Sequence, residues 1–93
     1  MKYVIFMEPK EPREENMKKL LEIEKKRQEK GETWSQQKES LVQYQLLSEP
    51  KGFMIVETDD ESKVWKWAAA YAPVLKYKIS PIVTRAEYEQ MTQ

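Results

Sequence analysis

The sequence predicts an α+β fold in which strands and helices follow one another as strand, helix, strand, strand, helix, strand. Three observations support this prediction. The segment Phe53 to Glu57 is apolar and β-branched, Val64 to Ala72 carries apolar residues at helical spacing, and Pro73 ends that helix before another apolar segment. With 93 residues, the chain is expected to form one domain, residues 1–93.

The N-terminal third is predicted to supply the first strand and the first helix. Lys2 to Glu8 places apolar side chains on both faces of a strand. Pro12 suits the first turn of a helix that runs to about Lys30, where Gly31 is a typical stop. The stretch Glu24 to Glu32 is almost wholly charged, so the second half of this helix is expected to project into water.

The middle of the chain is predicted to be a loop followed by a hairpin. Glu32 to Ser40 is polar apart from Trp34, which indicates a loop. Leu41 to Leu47 returns as a strand, and Ser48 to Gly52 provides turn residues that lead into the strand at Phe53.

The second helix is the clearest element. The turn from Thr58 to Glu61 offers a capping box, and Asp59 and Asp60 are interpreted as further caps. Trp65 and Trp67 cannot both face inward, because residues two apart on a helix point in nearly opposite directions. The predicted inward stripe is Val64, Trp67, Ala68 and Tyr71.

Val74 to Val83 completes the set as a fourth strand, and Thr84 with Glu87 can cap a short final helix. This order predicts a ferredoxin-like βαββαβ sandwich with right-handed crossovers, an antiparallel sheet and both helices on one face. The spatial order of strands is then fourth, first, third, second, with the first and third strands central.

The alternation of side chains then separates a covered face from an open face. If Val4, Phe6, Met54 and Val56 lie under the helices, the open face is apolar. Such a patch normally marks an interface or a ligand groove. The residues expected on it are Tyr3, Ile5, Met7, Phe53, Ile55 and Glu57.

Composition excludes several kinds of site. The chain has no cysteine and no histidine, so disulfides, thiolate zinc sites and imidazole-assisted nucleophiles are ruled out. Sixteen basic and sixteen acidic residues cancel, so no global field attracts a polyanion. The longest apolar run, Tyr3 to Met7, is too short to span a bilayer. We therefore expect no metal, no cofactor, no membrane association and a cytoplasmic location.

The whole chain resembles the dimeric α/β-barrel superfamily, within it the small uncharacterised members. The resemblance lies in the opening Met1 to Ile5, the segment Gly52 to Asp60, the Trp- and Ala-rich second helix, and Tyr77 to Val83. It implies a ferredoxin-like fold and a homodimer that presses open sheet faces together, and it implies no reaction. No motif of the superfamily's named enzymes, such as quinol monooxygenases and muconolactone isomerase, can be placed here.

A competing resemblance is to the RNA recognition motif, which has the same strand order. Lys51 to Thr58 is similar to its third-strand signature at Lys51, Gly52, Phe53 and Val56. The other aromatic positions are filled by Ile55 and Thr58, so only Phe53 and Tyr3 are expected to stack bases. Each missing stack removes about 1 to 3 kcal/mol per base, and zero net charge removes phosphate attraction. The sequence therefore argues against nucleic acid as a partner.

Four residues are candidates for a specific functional role. Glu57 is expected beside apolar neighbours, where burial would favour a protonated carboxyl able to act as general acid or base. Tyr3 and Tyr44 can each offer a hydroxyl to a ligand between sheets. Trp34, alone in a polar loop, is predicted to anchor the dimer, because aromatic residues are enriched at interface centres.

These observations lead to three functional hypotheses. The first is a homodimer, with higher assembly also open, that binds a small apolar molecule at or beside the inter-sheet interface. The second is a small cofactor-independent enzyme that uses Glu57 as acid or base. The sequence favours a protein that is not an enzyme over this second hypothesis. The third is a single-stranded RNA binder.

Overall fold

Seven helices and strands appear in the predicted order in the computed structural model, which describes residues 1–93. Their bounds are β1 Lys2–Pro9, α1 Arg13–Glu29, β2 Ser40–Gln45, β3 Gly52–Glu57, α2 Glu61–Tyr71, β4 Leu75–Ile82 and α3 Arg85–Met91. The order is that of a ferredoxin-like βαββαβ sandwich with a short C-terminal helix, so the predicted fold class is confirmed.

The sheet has the predicted arrangement of strands. Its order is β2-β3-β1-β4, and every neighbouring pair is antiparallel. β1 and β3 are central, as expected. Side chains of α1 and α2 pack against one face of the sheet, which leaves the other face without a covering layer.

The caps of the later helices are partly as predicted. The side chain of Thr84 accepts from the backbone N–H of Glu87 while Glu87 accepts from that of Thr84, so the α3 capping box is confirmed. α2 begins after Asp60, whose carboxylate accepts from the Ser62 amide at 3.0 Å, so the predicted cap at Asp60 is confirmed. The expected Thr58 capping box is wrong, because the buried Thr58 hydroxyl accepts from the Asp60 amide at 3.1 Å.

The core lies between the sheet and the helices. All four residues of the predicted α2 stripe are buried, and Trp65 is 58% exposed. α1 contributes only Leu20 and Ile23, which are partly buried against the core. The ten buried apolar residues are Ile5, Trp34, Met54, Val56, Val64, Trp67, Ala68, Tyr71, Val74 and Leu75.

The predicted facing of β1 is wrong, whereas that of β3 is correct. Ile5 is opposite Met54, and Phe6 is opposite Phe53. Directly opposed residues in an antiparallel pair share a face. Ile5 therefore belongs to the covered face with Met54, and Phe6 lies on the open face. Tyr3 and Met7 also pack against the core, and Val4 lies opposite Ile55. A shift of one residue in the assumed register explains the whole error.

The segment between α1 and β2 also differs from the prediction. Trp34 is 7% exposed and belongs to the core of its own chain, so the structure gives no support to its role as a dimer anchor. Hydrogen bonds fold the segment back: Glu32 N–H donates to Arg27 O at 2.9 Å, and Gln36 Nε2 donates to Gln28 O at 2.9 Å. Arg27 is buried as well, although the second half of the helix was expected to face water.

Candidate functional site

The open face of the sheet carries a cluster of three aromatic side chains. The ring centroids of Phe6 and Phe53 are 6.0 Å apart, and those of Tyr44 and Phe53 are 5.3 Å apart. Phe6 is 49% exposed and Tyr44 is 61% exposed. Each ring therefore packs on its neighbour within the sheet and leaves about half of its surface uncovered.

Apolar side chains extend this cluster along the sheet. Val42 pairs with Ile55 on one side, and Ile55 pairs with Val4 on the other. We call the set Val4, Phe6, Val42, Tyr44, Phe53 and Ile55 the open-face patch. Sequence reasoning found Tyr44, Phe53 and Ile55. It missed Val4 and Phe6, because both faces of β1 are apolar, and it missed Val42, because sequence alone gives no firm facing for an edge strand.

Three of the residues predicted for the site are elsewhere. Tyr3, Ile5 and Met7 lie under the helices with the core, so they do not form the open face. Pairing with β3 sets this facing, because Ile5 lies opposite the buried Met54.

A groove of about 520 Å³ lies at one end of the open-face patch. Phe6 and Phe53 provide apolar surface, and Lys51, Lys76, Lys78 and Glu8 bring charge to its lining. Lys51 approaches Glu49 at 3.5 Å and Glu8 at 4.0 Å, whereas Lys76 and Lys78 form no ion pair. The groove thus combines an aromatic floor with two unpaired cations.

A second groove, of about 540 Å³, lies at the same end of the sheet on the helix side. Apolar side chains of α1, including Met17 and Leu20, face Leu46 and Leu47 of the hairpin loop across it. These leucines were predicted to belong to the second strand, but β2 ends at Gln45 and Leu47 is wholly exposed. The hairpin therefore adds uncovered apolar surface beside both grooves.

Glu57 is exposed at the far end of β3, opposite Lys2. The Phe53 groove lies near Gly52, five residues away, which is roughly 17 Å along a strand. The burial on which an acid–base role depends is absent, and no apolar pocket surrounds the carboxyl.

No group of three or more Asp and Glu side chains is arranged to hold a metal ion. None of the helices has the length and apolar character needed to cross a bilayer.

The fold and the open-face patch define a small ferredoxin-like α+β protein with one uncovered sheet face. The chain belongs to the family described as Domain of unknown function (DUF3303), which it matches over residues 1–93. Comparison with curated proteins gives no match.

Proposed function

We propose that this protein is a homodimer formed through the open sheet faces and that the dimer binds small apolar molecules carrying an anionic group. The aromatic cluster of Phe6, Phe53 and Tyr44 is the observation that carries the proposal. Large exposed apolar patches on small proteins mark interaction surfaces, and aromatic side chains are the residues most enriched at interface centres.

A second copy of the chain fits the patch better than a charged partner does. The chain has zero net charge, and the centre of the patch contains only apolar and aromatic side chains. The molecule is 19 Å across in its shortest dimension, which matches one sheet and one helix layer. A second sheet packed at about 10 Å would give the core a third and a fourth layer.

The size of the sheet indicates that other surfaces join the interface. Four strands about 4.8 Å apart and roughly 20 Å long give a face of roughly 400 Å² in projection. A stable interface takes about 800 Å² from each partner. α3 has no buried residue, and Tyr88 and Met91 on it are exposed, as is Leu46 of the hairpin, which lines the groove beside the patch. We assign these side chains to the rim of the same interface.

The groove beside the patch is the proposed ligand site. An apolar ring can stack on Phe6 or Phe53, and Lys76 and Lys78 can each donate to a carboxylate or sulfonate. Pockets of this kind are mostly apolar with a few polar groups that orient the ligand. The proposed ligand is therefore an aromatic or aliphatic molecule with one acidic group.

Native mass spectrometry of gently purified protein tests both parts at once. A dimer is expected, and any retained small molecule appears as extra mass. A chain that stays monomeric at micromolar concentration contradicts the dimer.

The ligand site is tested separately with anilinonaphthalene sulfonate, an aromatic probe with one sulfonate. Lys78→Gln should weaken probe binding several-fold, because a charge-assisted hydrogen bond is lost. Lys66→Gln, which removes an exposed lysine on α2, is the matched control. Equal binding by both variants would remove the groove from the proposal.

Single-stranded RNA binding is a second candidate, favoured by one observation. The structure places Phe6 and Tyr44 beside Phe53, whereas the sequence suggested only Phe53 and Tyr3 for stacking. Aromatic rings on the central strands of such a sheet can stack bases. Fluorescence anisotropy with labelled oligouridylate tests this candidate. Binding that falls steeply with added salt and is lost in Phe53→Ala would favour RNA binding as the function.

A further inference from the structure

A smaller cavity lies on the covered side of the sheet, away from the open-face patch. It occupies about 90 Å³ between α1, α2, the inner face of the sheet and the turn that contains Trp34. Hydrogen-bonding side chains from four parts of the chain line it: Glu24, Arg27, Trp34, Gln43 and Tyr71. The cavity is therefore polar although it borders the core.

Arg27 is a buried cation without an anionic partner. It is 8% exposed and forms no ion pair. Of the five N–H donors on a guanidinium, one is used, in a bond of 2.8 Å from Nη2 to Glu32 O. The guanidinium also lies 5.5 Å from the ring centroid of Tyr71. Buried charges in proteins are normally paired, so this arrangement is incomplete.

Trp34 supplies a second, independent sign of a missing acceptor. Its indole Nε1–H is buried and has no hydrogen-bond partner. An indole nitrogen can only donate, and buried donors are rarely left unpaired. The unpaired indole N–H of Trp34 and the unpaired charge of Arg27 therefore belong to side chains that line one cavity.

We propose that this cavity binds a small carboxylate, held by the guanidinium of Arg27 and by the indole N–H of Trp34. A carboxylate is planar and matches the fork of a guanidinium. A volume of about 90 Å³ corresponds to about three water molecules, which is enough room for formate or acetate. Water alone would satisfy the indole but would leave the charge of Arg27 uncompensated.

Glu24 is the group that opposes this binding. Its side chain lines the same cavity, yet it does not approach Arg27 within the 4.0 Å of an ion pair. A bound carboxylate would be repelled by it, so removal of this charge should strengthen binding.

Titration with sodium acetate at constant ionic strength, followed by the indole N–H resonances in NMR spectra, tests the proposal. The chain has three tryptophans, and the resonance missing in Trp34→Phe identifies Trp34. We expect the Trp34 resonance to shift saturably, whereas that of Trp65, which is exposed and does not line the cavity, should stay unchanged. Arg27→Gln should weaken binding about tenfold or more, and Glu24→Gln should tighten it. Arg85→Gln, which alters an exposed arginine paired with Glu89, is the matched control.

Three results would overturn the proposal. One is the absence of a saturable shift up to about 100 mM acetate, where even a Kd of ~10 mM would be detected. Another is an equal response of all three indoles. The third is equal affinity of wild type and Glu24→Gln, which decides the matter even if Arg27→Gln fails to fold. The proposed dimer does not enter the test, because the cavity lies within one chain.

Discussion

Phe6→Ser is the substitution that most directly tests the open face as a dimer interface. Phe6 is 49% exposed, and its ring lies 6.0 Å from that of Phe53 within the same chain. In a dimer with twofold symmetry every interface residue occurs twice, so one substitution removes two rings. We expect dissociation into monomers that remain folded.

The expected loss of association free energy follows from the exposed area of the Phe6 side chain. A phenylalanine presents about 200 Å² of surface, so roughly 100 Å² of Phe6 remains for the partner to cover in each chain, or roughly 200 Å² per dimer. At about 25 cal/mol per Å² this is about 5 kcal/mol of association free energy. Because burial in an interface is incomplete, we expect a rise in the dimer Kd of at least about 100-fold, or ~2.7 kcal/mol.

Sedimentation velocity over a concentration series measures this Kd. Loss of β propensity and of one aromatic contact should cost the single chain about 1 to 2 kcal/mol of folding stability, which thermal unfolding reports separately. Leu21→Ser is the matched control, because Leu21 is 61% exposed on α1, away from the sheet face. The reasoning is refuted if Phe6→Ser and Leu21→Ser dissociate alike, or if wild type is already monomeric.

Three further predictions concern the fold and its titrating groups. Trp34→Ala should lower the free energy of unfolding by about 3 to 5 kcal/mol because the indole is in the core, whereas Trp65→Ala should lower it by about 1 kcal/mol or less. Chemical denaturation measures both, and similar losses of stability in the two variants would contradict the buried position of Trp34. Hydrogen bonding by the Thr84 backbone holds the pKa of Glu87 below its ordinary value of 4.5. The stability that the α3 cap provides is therefore present above pH 4.5 and is lost as pH falls through the lower pKa of the folded state. The NMR shift of the Thr84 amide should report this titration, and Glu87→Gln should abolish it. Burial raises the pKa of the Tyr71 phenol above its ordinary value of 10.0. The stability that depends on a neutral phenol is therefore complete below pH 10.0 and is lost as pH rises through the folded pKa. Phenolate absorbance should show one late step that Tyr71→Phe removes.

The proposed ligand groove and Glu57 are separate in the structure. Any acid–base chemistry at the exposed Glu57 would take place roughly 14 Å from Phe53 in the aromatic floor, judged by strand rise over four residues. The enzyme hypothesis therefore draws no support from the groove. A binding role explains the unpaired Lys76 and Lys78 without it.

Local sequence was sufficient for the order of elements and for several of their ends. Pro73 follows the last residues of α2, the α2 stripe of Val64, Trp67, Ala68 and Tyr71 is buried, and Thr84 with Glu87 caps α3. Helical periodicity and caps depend on residues three or four positions apart. Such features can be read from a short window of sequence.

The candidate sites depended on contacts between distant residues. Both faces of β1 are apolar, and only its pairing with β3, about fifty residues away in the chain, places Ile5 inside and Phe6 outside. Trp34 and Arg27 are buried because the turn after α1 folds back onto the core. Strand register and the closure of a turn are set by the packing of the whole domain, so tertiary structure alone decided which side chains of β1 join the open-face patch and that Arg27 and Trp34 line one cavity.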